Sequence, residues 1–125
     1  MYNDLVRSKL EYCLEHILAI ENYTESIVTP LEFIQKHNGL TYDGTLMRLQ
    51  ALGESLKNIS IKHPQVIVDL NYSEINDVIK FRDYASHHYE RLIHEIVFDI
   101  IQSDIPKLKV CLEILINKNT PSGLQ

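Results

Sequence analysis

Apolar residues recur every three to five positions along most of the chain, which is the spacing that places them on one face of an α-helix. The pattern predicts helices over about residues 2–23, 30–37, 43–62, 74–88 and 91–117. The expected core residues of the first and third helices are Leu5, Leu10, Leu14, Ile17, Leu18, Leu46, Leu49, Leu52, Leu56 and Ile59. Those of the last two are Ile75, Val78, Ile79, Ala85, Ile93, Ile96, Val97, Ile100 and Ile101. Four or five helices with short links predict an all-α, up-and-down bundle.

Several helix boundaries carry their own signals. Residues 29–32 (TPLE) have the form of a capping box with proline at the first helical position, and Gly39 can end the short helix that follows. Pro64 closes the third helix, because the residue before a proline disfavours helical geometry. The β-branched run at 66–68 has no second strand to pair with, so we expect a buried connector there. Pro106 either kinks the last helix or separates two.

Composition agrees with a helical protein of one domain. The chain has 125 residues, of which 45% are hydrophobic and 23% charged, and it has only four Gly and four Pro for turns. We expect one domain over residues 1–117 and a flexible tail over 118–125. The net charge of −5 argues against a protein that mainly grips duplex nucleic acid, but it leaves room for a small local site on RNA.

No sequence feature indicates a membrane, a metal or a cofactor. The N-terminus lacks the apolar core of a signal peptide, and no run approaches the roughly 20 apolar residues of a membrane span. Cys13 and Cys111 are far apart and fit free, buried thiols in a reducing compartment. The histidines His16, His37 and His63 are scattered without ligand spacing. We therefore expect a cytoplasmic protein with no bound metal or cofactor.

The segment 81–91 (FRDYASHHYER) concentrates the chain's candidate chemistry. It contains two His, two Arg, one Asp and two Tyr. Arginine supplies a permanent cation that matches phosphate oxygens, and histidine supplies a proton carrier near neutral pH. Arg82 and His87 lie roughly 140° apart on an ideal helix, however. For both to reach one substrate, either the helix breaks near His87 or a second copy of the chain contributes.

The spacing Arg82-x4-His87-x-Tyr89 resembles the R-x4-H-x-Y motif of HepT-like toxins in the HEPN (higher eukaryote and prokaryote nucleotide-binding) superfamily. Asp83 matches the polar residue that commonly follows the arginine. Further matching segments are Tyr2-Asn3-Asp4 with Arg7, Leu31-Glu32-Phe33, Leu52-Gly53-Glu54 and Asp104-Ile105-Pro106-x-Leu108. The resemblance extends over most of the chain.

This resemblance implies a HEPN-like bundle that forms a two-fold dimer, with the motifs facing each other across the dimer cleft. It also implies a metal-independent ribonuclease that is the toxin of a toxin–antitoxin pair. The partner that the resemblance implies is a minimal nucleotidyltransferase antitoxin, which would silence the toxin by attaching AMP to the motif tyrosine, here Tyr89. Added AMP would place bulk and negative charge where an RNA phosphate binds.

Elementary chemistry is compatible with a dimeric site. RNA cleavage without metal needs a base for the 2′-hydroxyl proton and an acid for the leaving 5′-oxygen, and two copies of His87 can supply both. Arg82 would stabilise the extra charge of the transition state. Asp83, one turn before His87, could fix the imidazole tautomer. The expected products carry 2′,3′-cyclic phosphate and 5′-hydroxyl ends.

Three nearby residues complete the candidate set. Gly53, in the middle of the third helix, predicts close packing against another helix, and Glu54 beside it could form a hydrogen bond near the cleft. His88 is an auxiliary candidate, and the simpler interpretation is a neighbour of His87 without a catalytic role.

Two alternative functions remain open at this stage. In the first, the same bundle is a non-catalytic subunit that binds nucleotide or presents a substrate to a nucleotidyltransferase; the negative net charge favours it slightly, whereas the presence of both Arg82 and His87 favours the enzyme. In the second, the chain is a plain helical interaction domain and the motif is coincidental.

Overall fold

Four long helices form the body of the protein. The computed structural model describes the backbone of residues 2–88 and 93–120, and the side chains of the same residues except 86–88. Within that part of the chain the long helices are α1 (Asp4–Tyr23), α3 (Leu40–Lys62), α5 (Ile75–His88) and α6 (His94–Lys118), and the short ones are α2 (Pro30–Gln35) and α4 (Pro64–Leu70). The described residues contain no β-strand. The predicted all-α bundle is confirmed.

Helix α3 lies at the centre of the bundle, because it packs against α1, α2, α4 and α5. Its predicted apolar stripe is confirmed in full, since every member is at most 1% exposed: Leu46, Leu49, Leu52, Leu56 and Ile59. Each such side chain contributes roughly 1.5–3 kcal/mol by leaving water. Helix α1 runs antiparallel to α3, with Tyr23 beside Gly44 and Lys9 beside Asn58.

The buried face of α1 differs from the predicted one. Leu5 is 59% exposed and Leu18 is 47% exposed, so assigning them to the core was wrong. The buried stripe instead follows the spacing of four, three, four and three residues, through Val6, Leu10, Cys13, Ile17 and Ile20. Apolar residues are frequent around this helix, and their spacing alone does not single out the face that meets α3 and α6.

A similar error occurs at the start of α6. Ile93 and Ile96 are 52% and 54% exposed, although they were predicted to face the core, whereas Val97 and Ile101 are buried as expected. Pro106 lies inside a continuous helix, so the alternative of two separate helices is wrong. The residues around it are anchored, because Tyr72 Oη donates a hydrogen bond to Asp104 Oδ1 (2.6 Å).

The turn between α2 and α3 is tighter than predicted. The predicted cap is present, since Thr29 Oγ1 accepts from the Glu32 N–H (3.2 Å). The helix ends at Gln35 rather than at His37, and residues 36–39 form a 3-10 turn in which three successive residues have positive φ. Gly39, with φ of 90°, suits that backbone best. Helix α3 consequently begins at Leu40, a few residues before the predicted start.

The predicted buried connector at 66–68 is wrong, because this segment is part of α4. Proline at the first position starts the helix, and Asn71 ends it in a left-handed conformation with φ of 56°. Val66 and Leu70, four residues apart, are buried, whereas Val68 is 67% exposed. The β-branched residues cost only a little helix propensity, and burial of one face outweighs that cost.

Contacts near the two ends of the described chain join α1, α4 and α6. The Tyr2 N–H donates to Asn119 Oδ1 (3.1 Å), and the Tyr2 hydroxyl donates to Asp69. The buried Asn119 also donates to the Leu115 carbonyl (2.9 Å). Residues 121–125 of the predicted tail lie outside the described residues, and the domain boundary at 117 stays a prediction.

Both cysteines are free thiols, as expected, but the prediction that both are buried is wrong for Cys111, which is half-buried. Cys13 is fully buried in the core, and burial raises the pKa of its thiol to about 12, which keeps it protonated. Among the described helices, none combines the length and the apolar composition needed to cross a membrane.

Candidate active site

Helices α3 and α5 approach each other closely at Gly53, which confirms the close packing predicted there. A Cβ atom placed on Gly53 would lie 2.5 Å from Arg82 Cβ and 3.1 Å from Arg82 Cγ. Carbon atoms do not tolerate the first distance, so only glycine fits without a shift of the helices. The missing side chain therefore lets the aliphatic part of Arg82 lie directly on α3.

The guanidinium group of Arg82 is held between two carboxylates. Its Nη2 forms an ion pair with Glu54 Oε2 on α3, and its Nη1 donates to Asp83 Oδ1 at 2.9 Å. The Arg82 side chain is 29% exposed, so the group is fixed at the surface but still within reach of a ligand. Glu54 was predicted to lie near the cleft, and the structure places it in direct contact with Arg82; its part in the reaction stays a prediction.

Lys57 joins the same group of charges, and sequence reasoning missed it. Its Nζ donates to Asp83 Oδ1 at 3.2 Å. Lys57 lies three positions after Glu54 on α3, which puts both on one face of the helix. That spacing could have predicted that Lys57 lies beside Glu54, but it indicates a place in the site only when α5 is known to pack on this face.

Asp83 interacts with both cations of the group. The hydrogen bond from Arg82, and after it the one from Lys57, lower the pKa of the Asp83 carboxyl below its ordinary value. Asp83 was predicted to orient His87. Its Oδ1 accepts from Arg82 and Lys57, and its contact with the histidine stays a prediction.

The four charges of this group balance each other. We call it the Gly53 cluster: Gly53, Glu54, Lys57, Arg82 and Asp83. Two cations face two carboxylates, with three ion pairs among them. A phosphate that binds to Arg82 must therefore replace one of these carboxylates or share the guanidinium with it. The arrangement fixes the direction of the guanidinium before any ligand arrives, which is the preorganisation that charge stabilisation requires.

The two histidines of this segment lie at the end of α5. His87 and His88 are in its last turn, and their side chains lie outside the described residues, as does Tyr89 entirely. The backbone of α5 is helical without interruption through His88. Positions 82 and 87 therefore stay roughly 140° apart around the helix axis. The helix has no break up to His88, and the contribution of a second copy of the chain stays a prediction.

Within the described residues, no three His, Cys, Asp or Glu side chains lie close enough together to hold a metal ion.

Comparison with known proteins agrees with this geometry. The family model described as "Ribonuclease HepT-like" matches residues 13–115, a range that contains the whole Gly53 cluster and the motif. The chain belongs to the HepT-like ribonuclease family. Membership confirms the resemblance inferred from the sequence, and the roles of the motif residues stay predictions.

A curated relative of this HepT-like chain comes from Methanocaldococcus jannaschii. It is named "Gamma-glutamylcyclotransferase and putative RNase" and is 26% identical over 104 residues. The match covers 83% of this chain but only 44% of that protein, so the chain spans less than half of its relative's length. No solved structure matches the chain significantly.

Proposed function

We propose that this HepT-like chain is a metal-independent endoribonuclease that uses the 2′-hydroxyl of RNA as its nucleophile. The observation that carries the proposal is the Arg82 guanidinium, held in place by Glu54 and Asp83 at the α3–α5 contact of a chain from a ribonuclease family. A fixed, part-exposed guanidinium fits the non-bridging oxygens of a phosphodiester.

The reaction balances without an external reagent. The 2′-oxygen attacks the adjacent phosphorus while its proton passes to a base, and the bond from phosphorus to the 5′-oxygen breaks as that oxygen gains a proton from an acid. One product ends in a 2′,3′-cyclic phosphate and the other in a 5′-hydroxyl. Arg82 stabilises the negative charge that accumulates on the phosphoryl oxygens between these states, where one donor is typically worth roughly 10²–10³ in rate.

His87 is the proposed proton carrier, and two copies of it serve as base and acid. The continuous α5 helix supports a site shared between two subunits, because one helix presents positions 82 and 87 on different faces. A two-fold axis passing near the end of α5 would bring the Arg82 of one subunit toward the His87 of the other. In this arrangement Asp83 serves as the neighbour that orients the imidazole, and His88 stays an auxiliary candidate.

Glu54 and Asp83 act in the proposal as groups that hold Arg82 until RNA binds. Because Glu54 is more than half exposed, its carboxylate can turn into water when a phosphate takes its place. The exchange replaces one ion pair of Arg82 by another, and the charge that faces the guanidinium stays the same, because a carboxylate and a phosphodiester each carry one negative charge.

We further propose that the chain is the toxin of a pair with a minimal nucleotidyltransferase antitoxin. The antitoxin would silence it by adenylylation of Tyr89: the phenol oxygen attacks the α-phosphorus of ATP, and pyrophosphate leaves. The support is the position of Tyr89 two residues after His87 in the motif of this family. Co-production with a neighbouring nucleotidyltransferase should add the mass of AMP to the peptide that contains Tyr89. If this peptide stays unmodified although the co-produced antitoxin is active, the step is contradicted.

The ribonuclease proposal is tested by RNA cleavage in the presence of EDTA. Wild-type protein should cut single-stranded RNA and leave cyclic phosphate ends, whereas His87→Ala protein should not. Lys36→Ala is the control for removal of a basic group, since Lys36 contacts Ser26 (3.4 Å) and lies outside the cluster. Cleavage that persists unchanged in His87→Ala protein would contradict the mechanism.

A second candidate is a non-catalytic subunit that binds nucleotide or presents a substrate to a nucleotidyltransferase. The charge balance of the Gly53 cluster and the net charge of −5 favour it, because neither creates a strongly positive surface. Nucleotide binding without any RNA cleavage in the same assay would support this candidate over the enzyme.

A further inference from the structure

A groove between α1 and α3 opens directly beside the Gly53 cluster. It has a volume of about 240 Å³ and is lined by Lys9, Tyr12, Glu54, Ser55 and Asn58. Glu54 belongs to both places, since its carboxylate binds Arg82 on one side and its side chain borders the groove on the other. A molecule that lies in the groove is therefore a close neighbour of one bound at Arg82.

Tyr12 gives the groove a fixed aromatic wall. Its ring meets the ring of His16 edge to face, with the centroids 4.2 Å apart. His16 is only 3% exposed and is itself held by Arg48 on α3, so it provides a firm support. Tyr12 nevertheless stays 50% exposed. An aromatic ring that is immobilised from behind and open to the groove is suited to stacking against another flat ring.

The opposite side of the groove offers hydrogen-bonding groups. Lys9 Nζ donates to Asn58 Oδ1 at 2.9 Å, which ties α1 to α3 and directs the amide nitrogen of Asn58 away from the lysine. Ser55 adds a hydroxyl that can donate or accept. These groups match the mixed donors and acceptors on the edge of a nucleobase.

We propose that this groove binds a base of the RNA strand next to the linkage that Arg82 engages, with the base stacked on Tyr12 and its edge facing Ser55 and Asn58. The inference rests on the proposed function, because the cluster supplies the neighbouring phosphate. The groove is smaller than the roughly 300–1,000 Å³ of pockets that enclose drug-sized ligands, which suits one base. Lys9 and Glu54 give its walls charges of both signs, which suits a base edge better than a second phosphate.

The test measures binding of a short single-stranded RNA whose 2′-hydroxyls are methylated, so that it cannot be cleaved. Tyr12→Ala should weaken binding by about 5- to 100-fold, the usual loss when one stacking ring is removed. Tyr12→Phe should bind nearly as wild type, because the ring remains. Tyr23→Ala is the matched control: this tyrosine ends the same helix, is 38% exposed and borders a different cavity.

A second readout separates this inference from the ribonuclease proposal. With unmodified RNA, Tyr12→Ala should raise KM and leave kcat nearly unchanged. If wild-type protein cleaves RNA while Tyr12→Ala and Tyr23→Ala bind the methylated strand equally well, the groove assignment is wrong and the ribonuclease proposal stands. If binding depends on Tyr12 but no RNA is cleaved, the ribonuclease proposal fails and the groove remains an RNA-binding surface.

Two further arms complete the experiment. Free AMP should compete more weakly than the RNA strand at the same concentration. Equal competition would show that the groove is a mononucleotide site and would overturn the proposal. Asn58→Ala serves if Tyr12→Ala does not fold, as judged by helical circular dichroism. This variant keeps the aromatic wall, and it should weaken binding by several-fold; unchanged binding would count against the proposal.

Discussion

The two glycines of α3 differ in how closely a neighbouring helix approaches them. Gly53 and Gly44 are nine residues apart, which places them roughly 13 Å apart along the axis and on opposite faces of the helix. At Gly53 a Cβ would collide with Arg82 Cβ at 2.5 Å, whereas at Gly44 it would meet Tyr23 Cε2 at an ordinary 3.5 Å.

A close approach of the helices and a cluster of charged side chains coincide at only one of these glycines. The Gly53 contact carries an arginine whose guanidinium is held by two carboxylates, while the Gly44 contact sets the helix against an aromatic ring. A glycine in mid-helix costs about 0.5–1 kcal/mol relative to alanine. At Gly53 the glycine allows the close packing that fixes the position of Arg82, and the proposed activity depends on this arginine.

The largest expected effect concerns the arginine itself. Arg82→Ala should lower kcat/KM for RNA cleavage by roughly 10²–10³, because the group that meets the transition-state charge is removed. Arg82→Lys should recover only part of this, since an ammonium lacks the planar fork that binds two oxygens. Steady-state kinetics on a defined RNA measure both changes. Full activity of Arg82→Ala would show that the contact between Gly53 and Arg82 has no role in cleavage.

The next largest effect should separate the two glycines directly. Gly53→Ala should destabilise the protein by about 1–3 kcal/mol, the usual result of overpacking, and should also reduce cleavage by displacing Arg82. Gly44→Ala should instead stabilise it by about 0.5–1 kcal/mol, because alanine is the better helix former and the site has room. Urea denaturation measures both values. Equal effects of the two substitutions would show that the closeness at Gly53 is unimportant.

A smaller effect is expected at Lys57, the cation of the cluster that sequence reasoning missed. Lys57→Gln should change stability only slightly, because both side chains of the ion pair with Asp83 are partly exposed to solvent. If Lys57 contacts an RNA phosphate, the slope of log affinity against log salt should fall by about one. Lys36→Gln, at the far end of the bundle, is the control and should leave that slope unchanged.

The smallest expected effect is the response of the cluster to acid. Arg82 and Lys57 lower the pKa of Asp83 in the folded protein, so on acidification the unfolded chain takes up this proton first. The stability that Asp83 contributes is present above its ordinary pKa of about 3.9 and is lost as the pH falls below it. Asp83→Asn should therefore flatten the acid side of the curve of melting temperature against pH, and an unchanged curve would contradict the coupling.

The sequence predicted those parts of the fold that depend on neighbouring residues. Caps, prolines and helical spacing act within a few positions, so the Thr29 cap, the end of α3 at Lys62 and its leucine stripe were all found from the pattern. The same rules failed where two local structures had similar free energies. A short β-branched run can be a connector or a helix, and only burial of Val66 and Leu70 against the rest of the bundle made α4.

The candidate site divides in the same way. Motif spacing identified Arg82, His87 and Tyr89, and with them the family, because that information is written along the chain. The partners of Arg82 depend on which face of α3 meets α5. The sequence therefore did not predict Lys57 as a member of the site, nor the contacts of Glu54 and Asp83 with Arg82. Likewise, Tyr12 becomes part of a groove only when α1 packs against α3. The amino-acid sequence determines the helices and the motif through interactions between neighbouring residues. Contacts between side chains that are distant in sequence form only when the apolar faces of the helices pack against each other.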